Sequence, residues 1–320
     1  MQALTLAVLG SMVLASPCLA ETVYISNEQD NTVSVIDGGT LRLVATIPVG
    51  RRPRGIGLSR DGRQLYVAVG DDNRIDVVDL ATRRVAGSLP SGEDPEHFVL
   101  HPDGRRLFVA NENDNVVSVV DIPEHRIMSE VEVGVEPEGM GVSPDGRLVV
   151  NTSETTSMLH VIDAASLELI DNVLVDTRPR VAQISWDNRQ IWVSSELRGS
   201  VSVFDAGTRE PLAKIQFEVP GVPRELVQAV GIQLTPDGSR AYVALGPSNR
   251  VAEIDARAFK VLRTYLVGQR VWQIALSPDG QRLYTANGNS SDASVIDLKR
   301  SEVVKTIGVG RSPWGVVVAP

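Results

Sequence analysis

Four glutamates recur at one position of a pattern that repeats along the chain, and a polar residue directly precedes each of them. They are Glu28, Glu112, Glu154 and Glu196, preceded by Asn27, Asn111, Ser153 and Ser195. Carboxylates that converge repel one another, which raises their pKa values unless a cation or an arginine compensates. Oxygen-only ligands of this kind suit a hard divalent or trivalent ion. One hypothesis is therefore a metal site made of Glu28, Asn111, Glu112, Glu154 and Glu196.

A second recurrent position carries charged and indole side chains. Counting from Glu138 in steps of 42 residues, with one step of 50, gives the ring Trp314, Arg54, Glu96, Glu138, Arg180, Val230 and Trp272. His97 follows Glu96, and the longest repeat adds Arg224 and Glu225 in a loop that could cover the ring. Arginine holds carboxylates through paired hydrogen bonds, and tryptophan stacks on planar rings. We therefore expect a binding face made of Arg54, Glu96, His97, Glu138, Arg180, Arg224, Glu225, Trp272 and Trp314.

The charges on this face also have a simpler interpretation. Arg54 with Glu96, and Glu138 with Arg180, are neighbours on the ring and could balance each other. Exposed pairs of this kind contribute only about 0.2 to 1 kcal/mol each. The pattern alone leaves three interpretations open: a salt-bridged face that binds a partner or a small molecule, a metal site, and a surface without a ligand.

The elements that must position these residues are repeats. Aspartates close the third apolar stretch of each unit at Asp37, Asp79, Asp121, Asp163, Asp205, Asp255 and Asp297, at intervals of 42 residues with one of 50. Each unit has four short stretches typical of strands, and Asp-Gly turns such as Asp61-Gly62 suit a tight hairpin. Four antiparallel strands in a unit of this length are typical of one propeller blade. The sequence therefore predicts an all-β, seven-bladed β-propeller in which these aspartates cap turns and have no catalytic role.

The two ends of the repeat array complete each other. The array begins with a second strand, TVYISN, and finishes with a first strand within SPWGVVVAP. We therefore expect the C-terminal strand to pair with the N-terminal blade, which closes the ring and leaves only short outer edges unpaired.

The first twenty residues differ from the rest. Residues 1–20 contain no charged side chain, have an apolar core and finish in small residues around Ala20. These features are typical of a secretory signal peptide. We therefore expect a signal peptide over residues 1–20, a propeller over residues 21–320, a periplasmic location and no membrane span after cleavage.

Bulk composition excludes several classes of function. The net charge of -9 argues against nucleic acid or an anionic membrane as the main partner. Cys18 is the single cysteine, so cleavage of the signal peptide would leave none. A chain without cysteine has no disulfide, thiol nucleophile or thiolate metal site.

Long stretches of the repeats resemble known families. LYVAVGDDNRIDVVDL and LFVANENDNVVSVVDI resemble the YVTN-type propeller repeat. Phrases outside that consensus, among them VGVEPEGMGVSPDG, NTSETTS and WVSSELRGSVSVFD, resemble the PQQ-dependent catabolism-associated β-propeller proteins. This resemblance implies an exported propeller that accompanies quinoprotein alcohol dehydrogenases, and it brings no established catalytic motif. Those dehydrogenases resemble longer, eight-bladed propellers with a disulfide between adjacent cysteines near the cofactor. Seven predicted blades and a mature chain without cysteine differ from that pattern, so the chain is not expected to be the dehydrogenase itself.

Two functions follow from these observations. The first is a non-catalytic periplasmic binding or scaffold propeller that serves PQQ-dependent alcohol oxidation. Its partner would be a quinoprotein dehydrogenase or another periplasmic protein, with PQQ itself as a candidate ligand. The alternative is a metal-dependent lactonase or esterase in which the recurrent glutamates and Asn111 hold an ion that activates water.

Overall fold

The computed structural model describes residues 21–320, and these residues form an all-β structure with two short 3-10 helices at Gly70–Asp72 and Arg224–Leu226. The strands in chain order are β1 Thr22–Asn27, β2 Thr32–Asp37, β3 Arg42–Pro48, β4 Pro53–Leu58, β5 Gln64–Val69, β6 Arg74–Asp79, β7 Arg84–Pro90, β8 Pro95–Leu100, β9 Arg106–Asn111, β10 Val116–Asp121, β11 Arg126–Glu132, β12 Pro137–Val142, β13 Leu148–Ser153, β14 Met158–Asp163, β15 Leu169–Leu174, β16 Pro179–Ile184, β17 Gln190–Ser195, β18 Ser200–Asp205, β19 Pro211–Gln216, β20 Ile232–Leu234, β21 Arg240–Ala244, β22 Arg250–Asp255, β23 Lys260–Leu266, β24 Val271–Leu276, β25 Arg282–Asn287, β26 Asp292–Asp297, β27 Glu302–Gly308 and β28 Pro313–Ala319.

The strands form seven four-stranded antiparallel sheets, which confirms the predicted seven-bladed propeller. Blade 1 has the order β28-β1-β2-β3, and blades 2 to 7 follow in chain order from β4–β7 to β24–β27. The last strand, β28, pairs with β1 in register Val23↔Val318 and Ile25↔Val316, as the sequence predicts. The predicted signal peptide, residues 1–20, lies outside the described residues.

Burial differs from strand to strand for a geometric reason. The second and third strands of each blade are almost wholly buried, because neighbouring blades cover both faces, whereas the fourth strands are largely exposed. One of the resulting clusters joins Val33 and Val35 of blade 1 to Leu65 and Val67 of blade 2. These positions carry β-branched and other apolar residues, which pack well on a pleated surface. The core therefore lies between the blades, and the first strands surround the central channel.

The turns behave as their residue types require. The glycines of the Asp-Gly turns have positive φ, for example 67° at Gly62, and Asn188 takes the same conformation at 61°. The repeated aspartates accept hydrogen bonds from turn amides, as Asp37 does from the Thr40 N–H at 2.6 Å. Their role is therefore structural. Within residues 21–320, no helix combines the length and the apolar character that a bilayer crossing demands.

Closure by β28 generates a test of the architecture. Removing residues 313–320 takes away every partner of the channel-side edge of β1 and exposes apolar side chains of blade 1. We expect the shortened chain to lose cooperative thermal unfolding or to aggregate, as followed by circular dichroism. A control that lacks only the exposed Pro320 should unfold like the full chain. Equal melting temperatures for the two truncated chains would show that β28 is dispensable.

Candidate functional site

The loops that enter the first strands converge at one end of the channel, which we call the mouth. A cavity of about 390 Å³ lies there, lined by Glu28, Arg52, Arg54, Asp94, Glu112, Glu138, Glu154, Arg178, Arg180 and Trp272. Most ring residues directly follow the proline that begins a first strand, as in Pro137-Glu138. Register shifts at these points, for example between Pro137 and Met140, mark bulges that redirect side chains. A bulge at the start of the strand therefore places a charged side chain at the mouth.

A second set of mouth residues lies two positions before the ring. Arg52, Asp94, Glu136, Arg178, Arg270 and Ser312 all adopt positive φ between 51° and 59°. None of them is glycine, so each has a conformation that L-residues rarely take. Arg270 is not among the residues that the sequence predicts for the binding face. Counting from Arg52 in steps of 42 residues, with the one step of 50 that the ring also needs, leads to Arg270. The repeat therefore contained the signal that identifies this residue.

One half of the mouth is organised by two arginines. Arg54 donates to Glu96 at 2.5 Å and to Glu28 at 3.0 Å. Arg52 contacts Glu96 and bonds Asp94 at 2.8 Å. Glu96 is fully buried between the two guanidiniums. The first pair expected from the sequence, Arg54 with Glu96, thus forms inside the protein and not on a solvated surface.

The other half centres on Arg180. This buried guanidinium contacts Glu138 at 2.7 Å and also contacts Glu154. Arg178 bridges Glu154 at 2.8 Å and Glu196 at 3.2 Å. Glu138 is only 3% exposed. Its carboxyl group is therefore part of a buried network, in which loss of one partner costs far more than in an exposed pair.

Both ring tryptophans lie against arginines. The guanidinium of Arg54 is 5.9 Å from the ring centroid of Trp314, and those of Arg180 and Arg270 are 5.3 and 4.0 Å from that of Trp272. Contacts of this kind are favourable cation–π interactions. Trp314 is almost completely buried, whereas Trp272 is partly exposed and lines the mouth. Of the two, Trp272 therefore offers a surface to a ligand.

The carboxylates do not all remain ionised. Burial, the hydrogen bond to Glu96 and the charge of that carboxylate raise the pKa of Glu112 to about 8. Burial would raise the pKa of Glu96 too, but the guanidiniums of Arg54 and Arg52 outweigh it and lower this pKa to about 2. Burial also raises the pKa of Glu138 well above its usual value. A pKa of about 8 means that the Glu112 carboxyl keeps its proton at neutral pH.

The five predicted metal ligands do not come together in one site of this structure. Glu28 pairs with Arg54, while Glu154 and Glu196 pair with Arg178. Asn111 is fully buried in its blade, where it donates to Ser118 at 2.8 Å and accepts from the Gly92 N–H at 3.1 Å. These four residues are therefore engaged within the protein.

Glu112 joins other acidic residues instead. It lies with Asp94 and Glu96 in a group whose oxygen atoms come within 4.8 Å of one another. Arg52 contacts all three of these carboxylates, so an ion there would compete with its guanidinium.

Three residues of the predicted binding face lie elsewhere. Arg224 and Glu225 are exposed on the short helix Arg224–Leu226, and Arg224 lines a separate surface pocket of about 450 Å³. Neither lines the mouth, so the eight-residue excess of this repeat does not cover it in this structure. His97 faces the channel below the mouth, with its ring centroid 6.1 Å from that of Trp314.

The mouth does not fit PQQ, a polycarboxylate, as a direct ligand. Eight carboxyl groups face five guanidiniums: Glu28, Asp94, Glu96, Glu112, Glu136, Glu138, Glu154 and Glu196 against Arg52, Arg54, Arg178, Arg180 and Arg270. Each of these arginines already contacts at least one carboxylate. The Nε atoms of Arg52 and Arg180 have no acceptor among the described residues, but both atoms are buried. The chemistry of the donor set therefore favours a cation over a carboxylate ligand.

The fold defines a β-propeller, here with a charged channel mouth, and comparisons with known proteins support the propeller class. The family described as YNCE-like beta-propeller matches residues 10–99, and the cytochrome D1 heme domain family matches residues 96–180. Each match spans less than a third of the chain, so together they support the propeller class. Neither match is to the PQQ-associated family. No curated protein matches the chain.

Solved structures of similar fold cover most of the chain. Hydrazine synthase of Kuenenia stuttgartiensis is 20% identical, covers 86% of this chain and 92% of its own, and has a TM-score of 0.79. A protein from Lactobacillus plantarum is 14% identical over 94% of this chain and 99% of its own, with a TM-score of 0.81. Dihydro-heme d1 dehydrogenase NirN in complex with DHE is 16% identical over 92% of this chain and 74% of its own, with a TM-score of 0.70. At these identities the likeness shows the fold alone.

The buried network around Arg180 generates a stability prediction. Replacing Arg180 with Met should lower the free energy of unfolding by about 3 to 5 kcal/mol, because it leaves buried carboxylates without their partner. Urea denaturation measures the change. As a matched control, Arg147→Met removes a guanidinium that is 82% exposed and pairs with Asp145. The control should change stability by less than about 0.5 kcal/mol. Equal effects of the two substitutions would contradict a buried network.

The raised pKa of Glu112 generates a pH prediction. The folded chain binds this proton up to about pH 8, whereas the unfolded chain releases it near the ordinary value of 4.5. Stability therefore falls as pH rises between these values. Glu112→Gln should abolish that fall, so its stability relative to the parent chain should rise by at least about 1 kcal/mol from about pH 5 to about pH 8.

Denaturation at the two pH values measures this shift in relative stability. Glu124→Gln changes an exposed glutamate at the opposite end and should leave the pH profile unaltered. Parallel profiles for the parent chain and the Glu112 variant would refute the protonated carboxyl at the mouth.

Proposed function

We propose that this chain is a non-catalytic binding propeller, exported to the periplasm, whose mouth captures a basic surface of a partner protein. The observation that carries the proposal is the excess of carboxyl groups over guanidiniums at the mouth. Glu28 and Glu112 are accessible members of this set, with side chains 22% and 27% exposed. Because both carboxyl groups are partly exposed, they are members of this set that a lysine or arginine of a partner would contact.

Protonation explains how the mouth would select a cation. Protonation of Glu112 removes the repulsion between its carboxylate and the nearby carboxylate of Glu96, since ionising both groups at this distance costs free energy. A cationic side chain beside Glu112 would lower its pKa and displace that proton. Binding then exchanges a proton for the cationic group of the partner. Charge complementarity of this type favours specificity and fast association.

The resemblance to PQQ-dependent catabolism-associated propellers supplies the candidate partner, a quinoprotein alcohol dehydrogenase in the periplasm. The apolar, uncharged residues 1–20 support export. In this proposal the propeller contacts the dehydrogenase and leaves PQQ to that enzyme. The five arginines of the mouth serve to hold its carboxylates in place.

A metal-dependent hydrolase is the alternative, and one observation favours it. Asp94, Glu96 and Glu112 group closely enough for a metal ion. Against it, Arg52 contacts each of these carboxylates. Elemental analysis of protein purified without a metal-binding tag, followed by lactone hydrolysis with and without chelator, separates the two functions. Stoichiometric metal with chelator-sensitive turnover would overturn the binding proposal.

The proposal is tested by binding of a purified PQQ-dependent alcohol dehydrogenase to the immobilised propeller. Binding should weaken steeply as salt increases, because screening shortens the range of charge interactions. The double variant Glu28→Gln, Glu112→Gln should weaken binding by about tenfold or more, equivalent to about 1.4 kcal/mol. Calorimetry in buffers of different ionisation enthalpy should detect proton release by the parent chain and less by the variant.

The matched control changes two exposed glutamates at the opposite end of the propeller. Glu124→Gln with Glu168→Gln removes the same formal charge outside the mouth and should leave affinity unchanged. An equal loss of affinity in both double variants would show that the overall charge of the protein, and not the mouth, determines binding. Absence of binding to the dehydrogenase would rule out the proposed partner. Micromolar binding of free PQQ would contradict the proposal that the mouth prefers a cationic ligand.

A further inference from the structure

The central channel contains a second chamber below the mouth. This cavity measures about 500 Å³, a size common among small-molecule sites. Residues of five consecutive first strands, β8, β12, β16, β20 and β24, form its wall. Its outer end lies at the Asp-Gly turns, where Pro102, Pro144 and Trp186 line it. It therefore opens at the end of the propeller opposite the mouth.

The wall of this chamber is uncharged. No Asp, Glu, Lys or Arg lines the cavity within the described residues. Its one titratable side chain is His97, and burial lowers the pKa of this imidazole to about 4, so the ring is neutral at physiological pH. Moving a charged ligand from water into such surroundings without a partner is costly. The chamber thus selects against ions, in contrast to the mouth above it.

Several polar groups in this wall lack partners. The side-chain amides of Gln233 and Gln273 line the cavity and form no hydrogen bond with residues 21–320. His97 Nδ1 is buried and has no partner among the described residues. Gln183 accepts from the Leu234 N–H at 3.1 Å, which fixes its carbonyl oxygen and leaves its NH₂ group as a donor. Leaving a buried polar group such as His97 Nδ1 unpaired costs free energy, and the half-buried amides of Gln233 and Gln273 are free to pair with an occupant.

Apolar surface separates these groups. Val99, Met140 and Val181 contribute side chains to the same wall. A few polar groups among apolar side chains is the usual composition of a ligand pocket, in which burial gives affinity and hydrogen bonds give orientation. Trp186, 53% exposed at the opening, adds an aromatic face there. An occupant with an apolar body and a polar end would match both kinds of surface.

We propose that this chamber is a binding site for an uncharged amphipathic molecule with an aromatic or other apolar body and an amide, carbonyl or hydroxyl group. The amides of Gln233 and Gln273 pair with its polar group, and Val99, Met140 and Val181 cover its body. The site is separate from the mouth and needs none of the charged residues there. Both sites therefore can be tested independently.

Isothermal titration calorimetry with 2-naphthamide and 2-naphthoate tests the site, because the two probes share shape and size but differ in charge. We expect the amide to bind at least about tenfold more tightly than the carboxylate. Gln273→Leu and Gln233→Leu should each weaken naphthamide binding by about fivefold or more, since each removes one hydrogen-bonding partner. Glu28→Gln with Glu112→Gln should leave it unchanged.

The matched control is Gln281→Leu, which makes the same replacement at an exposed turn position away from the cavity. It should bind naphthamide like the parent chain. Absence of naphthamide binding, equal affinity for naphthoate, or equal losses in the control and cavity variants would each overturn the proposal. If one cavity variant does not fold, as judged by circular dichroism, the other variant and the comparison of the two probes on the parent chain still decide the matter.

Discussion

Closure of the ring by β28 on β1 is the constraint on which the rest of the structure depends. Each blade buries its apolar residues mainly against its two neighbours, so an open array would leave two blade faces in water. Pairing of Val23 with Val318 and of Ile25 with Val316 removes that exposure. The same closure fixes seven first strands around one axis. Groups separated by hundreds of residues in sequence thereby come to share one channel.

The two ends of that channel have opposite chemistry. At the mouth, carboxylates and guanidiniums from different blades form a buried network, and protonation of Glu112 neutralises part of the acidic excess. Below it, Val99, Gln233 and Gln273 line a chamber without charged side chains. The boundary lies within β8, where the fully buried Glu96 belongs to the mouth and the next residue, His97, faces the chamber. Successive residues of one strand thus contribute to two environments.

Positive φ at the mouth links local conformation to site chemistry. Arg52, Asp94, Arg178 and Arg270 adopt a left-handed conformation that costs free energy in any residue other than glycine. The ion pairs that these residues form, such as that of Arg270 with Glu196 at 2.7 Å, offset part of the cost. The same conformation recurs in turns at the opposite end, for example at Leu41 and Arg83, so it belongs to the repeat and is not special to the mouth. What distinguishes the mouth is that its positive-φ positions carry charged side chains that form ion pairs.

Periodicity alone predicted the seven blades, the closing strand and the ring that contains Arg54, Glu96, Glu138 and Arg180. A repeat places equivalent residues at equivalent points around an axis, which is why counting along the sequence was sufficient. Tertiary structure decided how those residues interact. Burial turned the expected surface pair Glu138–Arg180 into part of an internal network. The distances between charged groups and the extent of their burial depend on how neighbouring blades pack. A repeat in the sequence contains neither kind of information. For that reason the raised pKa of Glu112 and the uncharged chamber could be recognised only in the assembled ring.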